Sequence, residues 1–575
     1  MDYSIRIGGE AGQGLQTIGA ALAKIFSRQG YHVFTHQDYM SRVRGGHNFY
    51  QIRFSDTPLF ASREKIHVLV ALNRETVDLH RDSLHEEGVI LYDPKEEEKP
   101  EMDARFLPTP FEQLAQDEGG QKIMANSVAV GAILGIFGFG PETADQVTTE
   151  LLGKKIDEII QGNLKAIRAG HRHAREHCPN LDRFHIDEAR EEKLMLINGV
   201  QAIAAGALMS GVKFYAGYPM TPSTGIMVYL AGKAEAFNLV VEQAEDEISA
   251  INMALGASYA GVRAMTGTSG GGFALMTEGL SLAGITETPL VIAEMQRPGP
   301  ATGLPTRTEQ SDLFFVIHGG HGEFPRVVLT PGTPEQAFQA ANKAFDLAEK
   351  YQIPVFIQAD QYLGDTEWTF KGFDLDRLRY EDYRLRREKL AELKEYKRYA
   401  ITDDGISPLA VPGDSNHLVV VDSDEHDEEG HIIEDAETRV KMVNKRLHAK
   451  MRTLPGEIVP PALYGDQEAD HIIIGYGSTY GVMREAVDHL KESHSLAMLH
   501  FSEVYPFPPR EQFDYVELLR KKRKTICVEN NATGQFNLLL RAETGFACTA
   551  GINRYDGRPF TVESLMGEIE KHLTR

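Results

Sequence analysis

The sequence predicts a multidomain α/β protein, and three observations carry that expectation. A chain of 575 residues amounts to about three or four domains at the usual domain size. Short runs rich in Val, Ile and Leu alternate with helical patterns along almost its whole length. With 42% hydrophobic and 25% charged residues, the composition is that of an ordinary globular protein.

Within residues 1–180 the expected strands lie at 3–7, 32–35, 68–72 and 89–92, with a helix at 15–29 and further helices between the later strands. Strands alternating with helices predict a parallel sheet covered on its faces. The chain turns charged and helical after Ile156, and 181–193 reads as a linker. A second α/β segment, 194–375, has expected strands at 212–216, 239–241, 264–266, 290–294, 326–329 and 355–358, and helices at 248–259 and 334–350. Residues 376–465 form a connector or arm, opening with a charged helical stretch at 377–397. Its acid run from Asp422 to Glu429 is expected to be a solvated face, followed by a basic helical run through Lys441, Lys445, Arg446 and Lys450. A last α/β unit, 466–575, carries strands at 471–475, 496–500 and 525–529 and a helix at 482–490. No short-period repeat is present.

Charge and cysteine usage exclude several functions. Lys+Arg 60 against Asp+Glu 83 leaves a net charge of −23, the wrong sign for nucleic acid or an anionic membrane. The longest strongly apolar stretch, 128–140, is too short to span a bilayer, and the N-terminal residues lack the pattern of a secretion signal. Three widely spaced cysteines, Cys178, Cys527 and Cys548, make neither a disulfide framework nor a metal–thiolate motif, so the chain cannot by itself hold an iron–sulfur cluster. A cytoplasmic location is expected.

Four segments could carry chemistry. The first is Gly8-Gly9-Glu10-Ala11-Gly12-Gln13-Gly14 between a strand and a helix, a setting that can place backbone N–H groups against an anion. Its glycine spacing reverses the dinucleotide fingerprint, and Asp38 falls past the expected strand end. A tight turn with close helix packing, an anion or cofactor contact, and NAD all stay open at this point. Arg42, Arg44, Gly45 and Gly46 form a basic glycine turn suited to a phosphate or a partner subunit. The second segment, Tyr218-Pro219-Met220-Thr221-Pro222-Ser223-Thr224, follows a strand end with two rigid prolines and three hydroxyls; it suits a small carboxylate or carbonyl, or a helix cap. In the third, Glu247 opens a helix on whose face Ala250, Ala254, Ala257, Ser258 and Gly261 recur at helical spacing, permitting close approach of a flat ring or another backbone. A capping role for the acid is the plainer alternative. The fourth is the loop Thr266-Gly267-Thr268-Ser269-Gly270-Gly271-Gly272 after the next strand.

That order resembles the pyrimidine-binding domain of thiamine diphosphate enzymes, in which a glutamate opening a small-residue helix bonds the aminopyrimidine ring. A glycine commonly lies nine positions after that glutamate, and Gly256 lies nine after Glu247; Glu245 is the fallback, two residues out of register. Together with QRPGPATGLPTRTEQSDL (296–313) and HGGHGEFPR (318–326), the chain resembles the α subunit of a 2-oxoacid:ferredoxin oxidoreductase. GGEAGQG and RVRGGH resemble the family's γ subunit, fused in front as is frequent in the 2-oxoglutarate class. HIIIGYGST and ENNATGQF resemble its transketolase-C-like domain.

The resemblance implies thiamine diphosphate as cofactor, with Glu247, Pro219, Thr268 and Ser269 binding it and Glu247 sharing a proton with N1′ of the pyrimidine. Thr221 and Arg297 would touch the substrate's carboxylate or carbonyl end, with Arg307 a second candidate for a distal carboxylate; an ion pair of either arginine with Glu309 or Asp312 is the structural alternative. The diphosphate/Mg²⁺ motif and the cluster cysteines are missing, since Gly413-Asp414-Ser415 with Asn444 imitates the former without a leading apolar strand. The resemblance therefore implies a β partner bearing Mg²⁺ and a 4Fe-4S cluster, in an αβ heterodimer or its dimer. Coenzyme A would be a substrate and ferredoxin the electron acceptor. Pyruvate, branched-chain or broad-specificity relatives of the same machinery, an NAD-dependent dehydrogenase and a non-catalytic structural subunit are the rivals.

Overall fold

In the computed structural model, residues 1–41, 45–95, 105–153, 155–178, 181–184, 186 and 192–574 are described. Arg42, Arg44 and much of the expected 181–193 linker lie outside them. The chain folds as two compact units. One comprises Met1–Ile197 with Thr366–Gly372 and Thr561–Glu563; the other comprises Asn198–Asp365, Phe373–Phe560 and Ser564–Arg575.

The first unit is built on an eight-stranded sheet in the order Phe106–Pro108, Leu84–Tyr92, Ile66–Ala71, Asp2–Glu10, His47–Ser55, His32–Asp38, Glu367–Phe370, Met195–Asn198. The expected all-parallel sheet is corrected here. His47–Ser55 inserts between Asp2–Glu10 and His32–Asp38 and runs antiparallel to both. Its alternating sequence HNFYQIRFS buries Tyr50, Ile52 and Phe54, the period-2 signature of a strand with one face in the core. Residues 366–372, read from the sequence as part of the second segment, instead supply a strand here. Trp368 packs edge-on against Phe34, and its Nε1 donates to the Leu59 carbonyl at 2.6 Å.

The second unit holds a seven-stranded sheet in the order Glu503–Tyr505, Val327–Leu329, Pro354–Asp360, Leu290–Gln296, Ala264–Thr268, Phe214–Gly217, Val240–Gln243. It is parallel apart from the Glu503–Tyr505 edge. A five-stranded sheet centred on His471–Tyr476 is parallel apart from Ala462–Tyr464. The two sheets share one apolar core, in which Ile292, Phe356 and Phe273 join Ile472, Phe501 and Phe536.

Two expectations for 376–465 are corrected. Within 377–397 only Arg387–Ala391 is α-helical. Long-range bonds tie down the short strand Arg384–Leu385 and the residue before it: Arg384 pairs with buried Glu349 at 2.7 Å and the Tyr383 hydroxyl donates to Asp346 at 2.8 Å. The basic run is helical, through Ala436–Val443, a π-helical turn Asn444–Ala449 and Lys450–Thr453, but it is no solvated arm. Lys445 and Lys450 are wholly buried and each reaches wholly buried Glu287 at 2.5 Å. Within the acid run, Glu425 is likewise drawn inward, its carboxylate accepting from Arg439 and Arg446.

Candidate active site

Along the seven-stranded sheet the chain leaves Phe214–Gly217 toward the Val240–Gln243 edge, then returns to the other side as Ala264–Thr268. The crevice at the carboxyl ends of Phe214–Gly217 and Ala264–Thr268 is therefore a topological switch point, where open α/β sheets bind ligands. The loop 218–223 leaves one of these strands and Ser269 follows the other.

Glu247 begins the helix Glu247–Tyr259, and Asp246 caps it by accepting from the Ser249 backbone N–H at 2.7 Å. The capping role thus belongs to Asp246, which frees the next side chain for other work. Glu247 is 3% exposed while Glu245 is exposed. On the same helix face, Ala250 and Ala254 are fully buried. The Glu247 carboxyl points at Gly272, where a Cβ would collide with its Oε1 and with the Thr268 hydroxyl. That Oε1 is buried and meets no hydrogen-bond donor, and the buried Ser269 hydroxyl is likewise unmatched. Burial chiefly, then the neighbouring Asp246 charge, pushes the Glu247 carboxyl above its ordinary range, against the opposing pull of Arg297. A carboxyl kept dry, orphaned and faced by a side-chain-free residue fits a planar ring with a basic nitrogen, since an unmade buried bond is costly until a ligand makes it.

Several of the other site residues named from the sequence gather around this point. Thr268 Oγ approaches Met220 of the 218–223 loop, and Pro219 is half-buried within that loop. The Arg297 Nη1 donates to the Thr221 carbonyl at 2.8 Å, tying the residue after the Leu290–Gln296 strand to the loop. Arg307 sits elsewhere on the 298–310 segment, buried and packed against Gly557. Gly256 lies on the helix face opposite Glu247, exposed, with nothing within 4 Å of a Cβ built there. Sequence reasoning missed Gly272 as a wall of the site and Glu294 as a buried acid beside it. The second carried a signal, a lone charge inside the apolar strand LVIAEMQ.

In the first unit the glycine loop lines a cleft of about 340 Å³ with Gln37, Tyr39, Met40 and Asn48. Gly14 is needed on two counts: its φ is +79°, and a Cβ would strike the Asn126 amide. The strand His32–Asp38 runs past the expected end at Thr35, so Asp38 lies inside it. The dinucleotide topology is nonetheless absent, because antiparallel His47–Ser55 separates the strands that a Rossmann unit would pair in parallel.

Residues 205–445 match the sequence family described as "Pyruvate flavodoxin/ferredoxin oxidoreductase, thiamine diP-bdg", and residues 4–173 that described as "Pyruvate ferredoxin/flavodoxin oxidoreductase". Fold and site thus define an oxidoreductase chain with a thiamine-diphosphate-binding domain. The 2-oxoacid:ferredoxin oxidoreductase subunit alpha of a Sulfolobus species is 33% identical over 100% of this chain and 97% of its own. The 2-oxoglutarate synthase subunit KorA of Methanocaldococcus jannaschii is 34% identical over 60% of this chain and 90% of its own. The solved 2-oxoglutarate:ferredoxin oxidoreductase from Magnetococcus marinus, with 2-oxoglutarate, coenzyme A and succinyl-CoA bound, superposes with a TM-score of 0.91 at 32% identity, covering 100% of this chain and 99% of that one. The chain belongs to the 2-oxoacid:ferredoxin oxidoreductase family, as an α subunit.

Proposed function

We propose that this chain is the fused γ–α subunit of a 2-oxoglutarate:ferredoxin oxidoreductase, converting 2-oxoglutarate, coenzyme A and oxidised ferredoxin reversibly to succinyl-CoA, carbon dioxide and reduced ferredoxin. The observation that carries the reading is the orphaned, buried Glu247 Oε1 facing Gly272. The substrate choice draws on the similarity to the Magnetococcus marinus enzyme and the KorA subunits.

Thiamine diphosphate, when bound, supplies the nucleophilic carbon that attacks the 2-oxo group. In this reading Glu247 holds a proton at the pyrimidine ring nitrogen, while Pro219, Thr268 and Ser269 supply the remaining contacts to the ring's edge. A Glu247 carboxyl raised by burial above its ordinary range suits a group that must both give and take that proton. Arg297, anchored on the Thr221 carbonyl, offers a planar fork to the substrate's carboxylate, and Thr221 its hydroxyl. Arg307 is assigned to the distal carboxylate.

A β partner would complete the site, carrying the diphosphate and Mg²⁺ anchor and a 4Fe-4S cluster that would supply the electron path to ferredoxin, in an αβ heterodimer or its dimer. The outer face of the Glu247–Tyr259 helix supports such a partner. Ile248, Met253 and Tyr259 are 48%, 39% and 38% exposed there, beside the bare Gly256. Cys178, Cys527 and Cys548 form no disulfide, in keeping with a cytoplasmic location. No single helix among the described residues is long and apolar enough to cross a membrane.

The test is viologen reduction by the assembled complex with coenzyme A and a panel of 2-oxoacids. The reading expects the highest kcat/KM with 2-oxoglutarate and strict dependence on added thiamine diphosphate. A preference of about tenfold or more for pyruvate or a branched-chain acid would replace the substrate and keep the machinery.

A further inference from the structure

One acid pair beside the site has no part in the function above. Glu294 is wholly buried near the carboxyl end of the strand Leu290–Gln296. Its Oε2 accepts from the Gln358 amide of the neighbouring strand at 3.2 Å, and its Oε1 meets no donor. The carboxyl of Asp312 lies within hydrogen-bonding reach of it. Asp312 is fixed from two sides. Its backbone N–H donates to Gln296 Oε1 at 3.0 Å, and its carboxylate presses so close to Gly270, the first residue of the helix Gly270–Ile285, that a Cβ there would collide with it.

Two carboxyls in contact, Glu294 wholly buried and Asp312 half-buried, resist being ionised together, so the pair keeps one proton. The surroundings decide where it sits. Asp312 lies against a helix N-terminus and within the field of the Arg297 guanidinium, both of which favour an anion; Glu309 is a further charged neighbour. Around Glu294 are the Gln358 amide and the acids Asp312 and buried Asp360, with no cation among the groups that shift its carboxyl. A neutral Glu294 that donates to an ionised Asp312 also removes the orphaned oxygen. Burial pushes both carboxyls up, Asp312 to about 6 and Glu294 well above its ordinary range, which agrees with that order.

We infer that Asp312, held by a hydrogen bond from proton-bearing Glu294, is a positioning residue whose fixed negative charge keeps the Arg297 guanidinium aimed at the substrate carboxylate. The inference rests on the role proposed for Arg297. That guanidinium has a second anion in its field, Glu247. Without Asp312 it would be drawn toward the carboxyl that serves the cofactor, at the expense of both tasks. The protonation of Glu294 keeps the pair at one negative charge, enough to balance one arginine.

Two near-isosteric variants, assembled with the partner, separate the roles. Glu294→Gln keeps a donor toward Asp312 and should hold kcat/KM within about threefold of the parent, whereas Asp312→Asn should lower it by about tenfold or more, mostly through KM. Infrared spectra of the full chain should show a protonated-carboxyl stretch at about pH 8, above every ordinary carboxylate pKa, that disappears in Glu294→Gln and persists in Asp312→Asn. Equal losses in both variants, or a band unchanged by Glu294→Gln, would overturn the inference. If Asp312→Asn fails to assemble, the Glu294→Gln band and KM decide alone. A parent complex that oxidises 2-oxoacids without thiamine diphosphate would instead count against the proposed function, leaving the band assignment standing.

Discussion

Arg297 and Thr221 are joined by a 2.8 Å hydrogen bond from the Arg297 guanidinium to the Thr221 carbonyl. A residue at the end of one central strand and a loop beyond the end of another are thereby held in one geometry, which joins the two motifs proposed to bind the substrate.

The first prediction concerns that edge. Arg297→Met removes a charged, forked donor whose hydrogen bonds are worth about 1.5–3 kcal/mol, so KM for the 2-oxoacid should rise about tenfold or more. Arg297→Lys keeps the charge but loses the fork, and should fall between parent and Met variant. Steady-state kinetics of the assembled complex check the ranking.

Gly272 should tolerate no side chain for a reason unrelated to helix stability. Alanine is favoured over glycine in a helix by up to about 1 kcal/mol, yet at Gly272, in the first turn of Gly270–Ile285, the added methyl meets the Glu247 carboxyl and the Thr268 hydroxyl. Gly272→Ala should therefore weaken the apparent affinity for thiamine diphosphate by about tenfold or more while leaving the melting temperature of the unloaded chain within a few degrees, about what a 1 kcal/mol change allows. Titration of the cofactor against activity and a thermal melt give the two halves.

The buried cluster of Glu287, Lys445 and Lys450 makes a stability prediction. The two ammoniums hold the Glu287 carboxyl far below the usual carboxylate range despite its burial. Glu287→Gln would leave two wholly buried lysines without their anion, a change costing about 3–5 kcal/mol. Denaturant unfolding followed by circular dichroism should show the loss, and a shift below about 1 kcal/mol would mean that the cluster is poorly coupled to folding.

Asp312 gives a pH signature. Burial raises its carboxyl from the ordinary value to about 6, so between those values the folded chain binds this proton more tightly than the unfolded one. Its contribution to stability is fully present below the unfolded pKa and is lost as pH rises through about 6. Relative to Asp312→Asn, the parent's melting temperature should accordingly fall as pH is raised through that window. A difference that grows with pH would reverse the sign and contradict the assignment.

Much of the architecture was legible because it is locally encoded. The parallel strands of the second unit are apolar runs bounded by turns, and Leu290–Gln296 and Pro354–Asp360 extend the expected strands by two or three residues. What escaped depends on distant partners. His47–Ser55 alternates apolar with polar residues as a strand does, but its antiparallel place between two earlier expected strands, which buries both its faces, follows from pairing. Glu367–Phe370 is too short to announce that it joins a sheet made mainly of residues from the other end of the chain. Lys445 and Lys450 carry the pattern of a solvated helix, and their burial is matched by Glu287, more than a hundred and fifty positions away, with which both pair. Within the site, the order strand, acid, small-residue helix, strand, glycine loop singled out Glu247. The glycine nine positions on put Glu245 two residues out of register and left it the fallback; what the sequence could not give is the burial, Glu247 lying buried next to the Asp246 cap and Glu245 exposed.

The central claim is that one buried carboxyl activates the cofactor, and its most direct measurement is the rate of ferredoxin or viologen reduction by the complex carrying Glu247→Gln. With saturating 2-oxoglutarate, coenzyme A and thiamine diphosphate, the account predicts intact assembly and a rate lowered by about a hundredfold or more, the typical worth of a positioned acid–base group. A variant that assembles and keeps its rate within about threefold of the parent would contradict it.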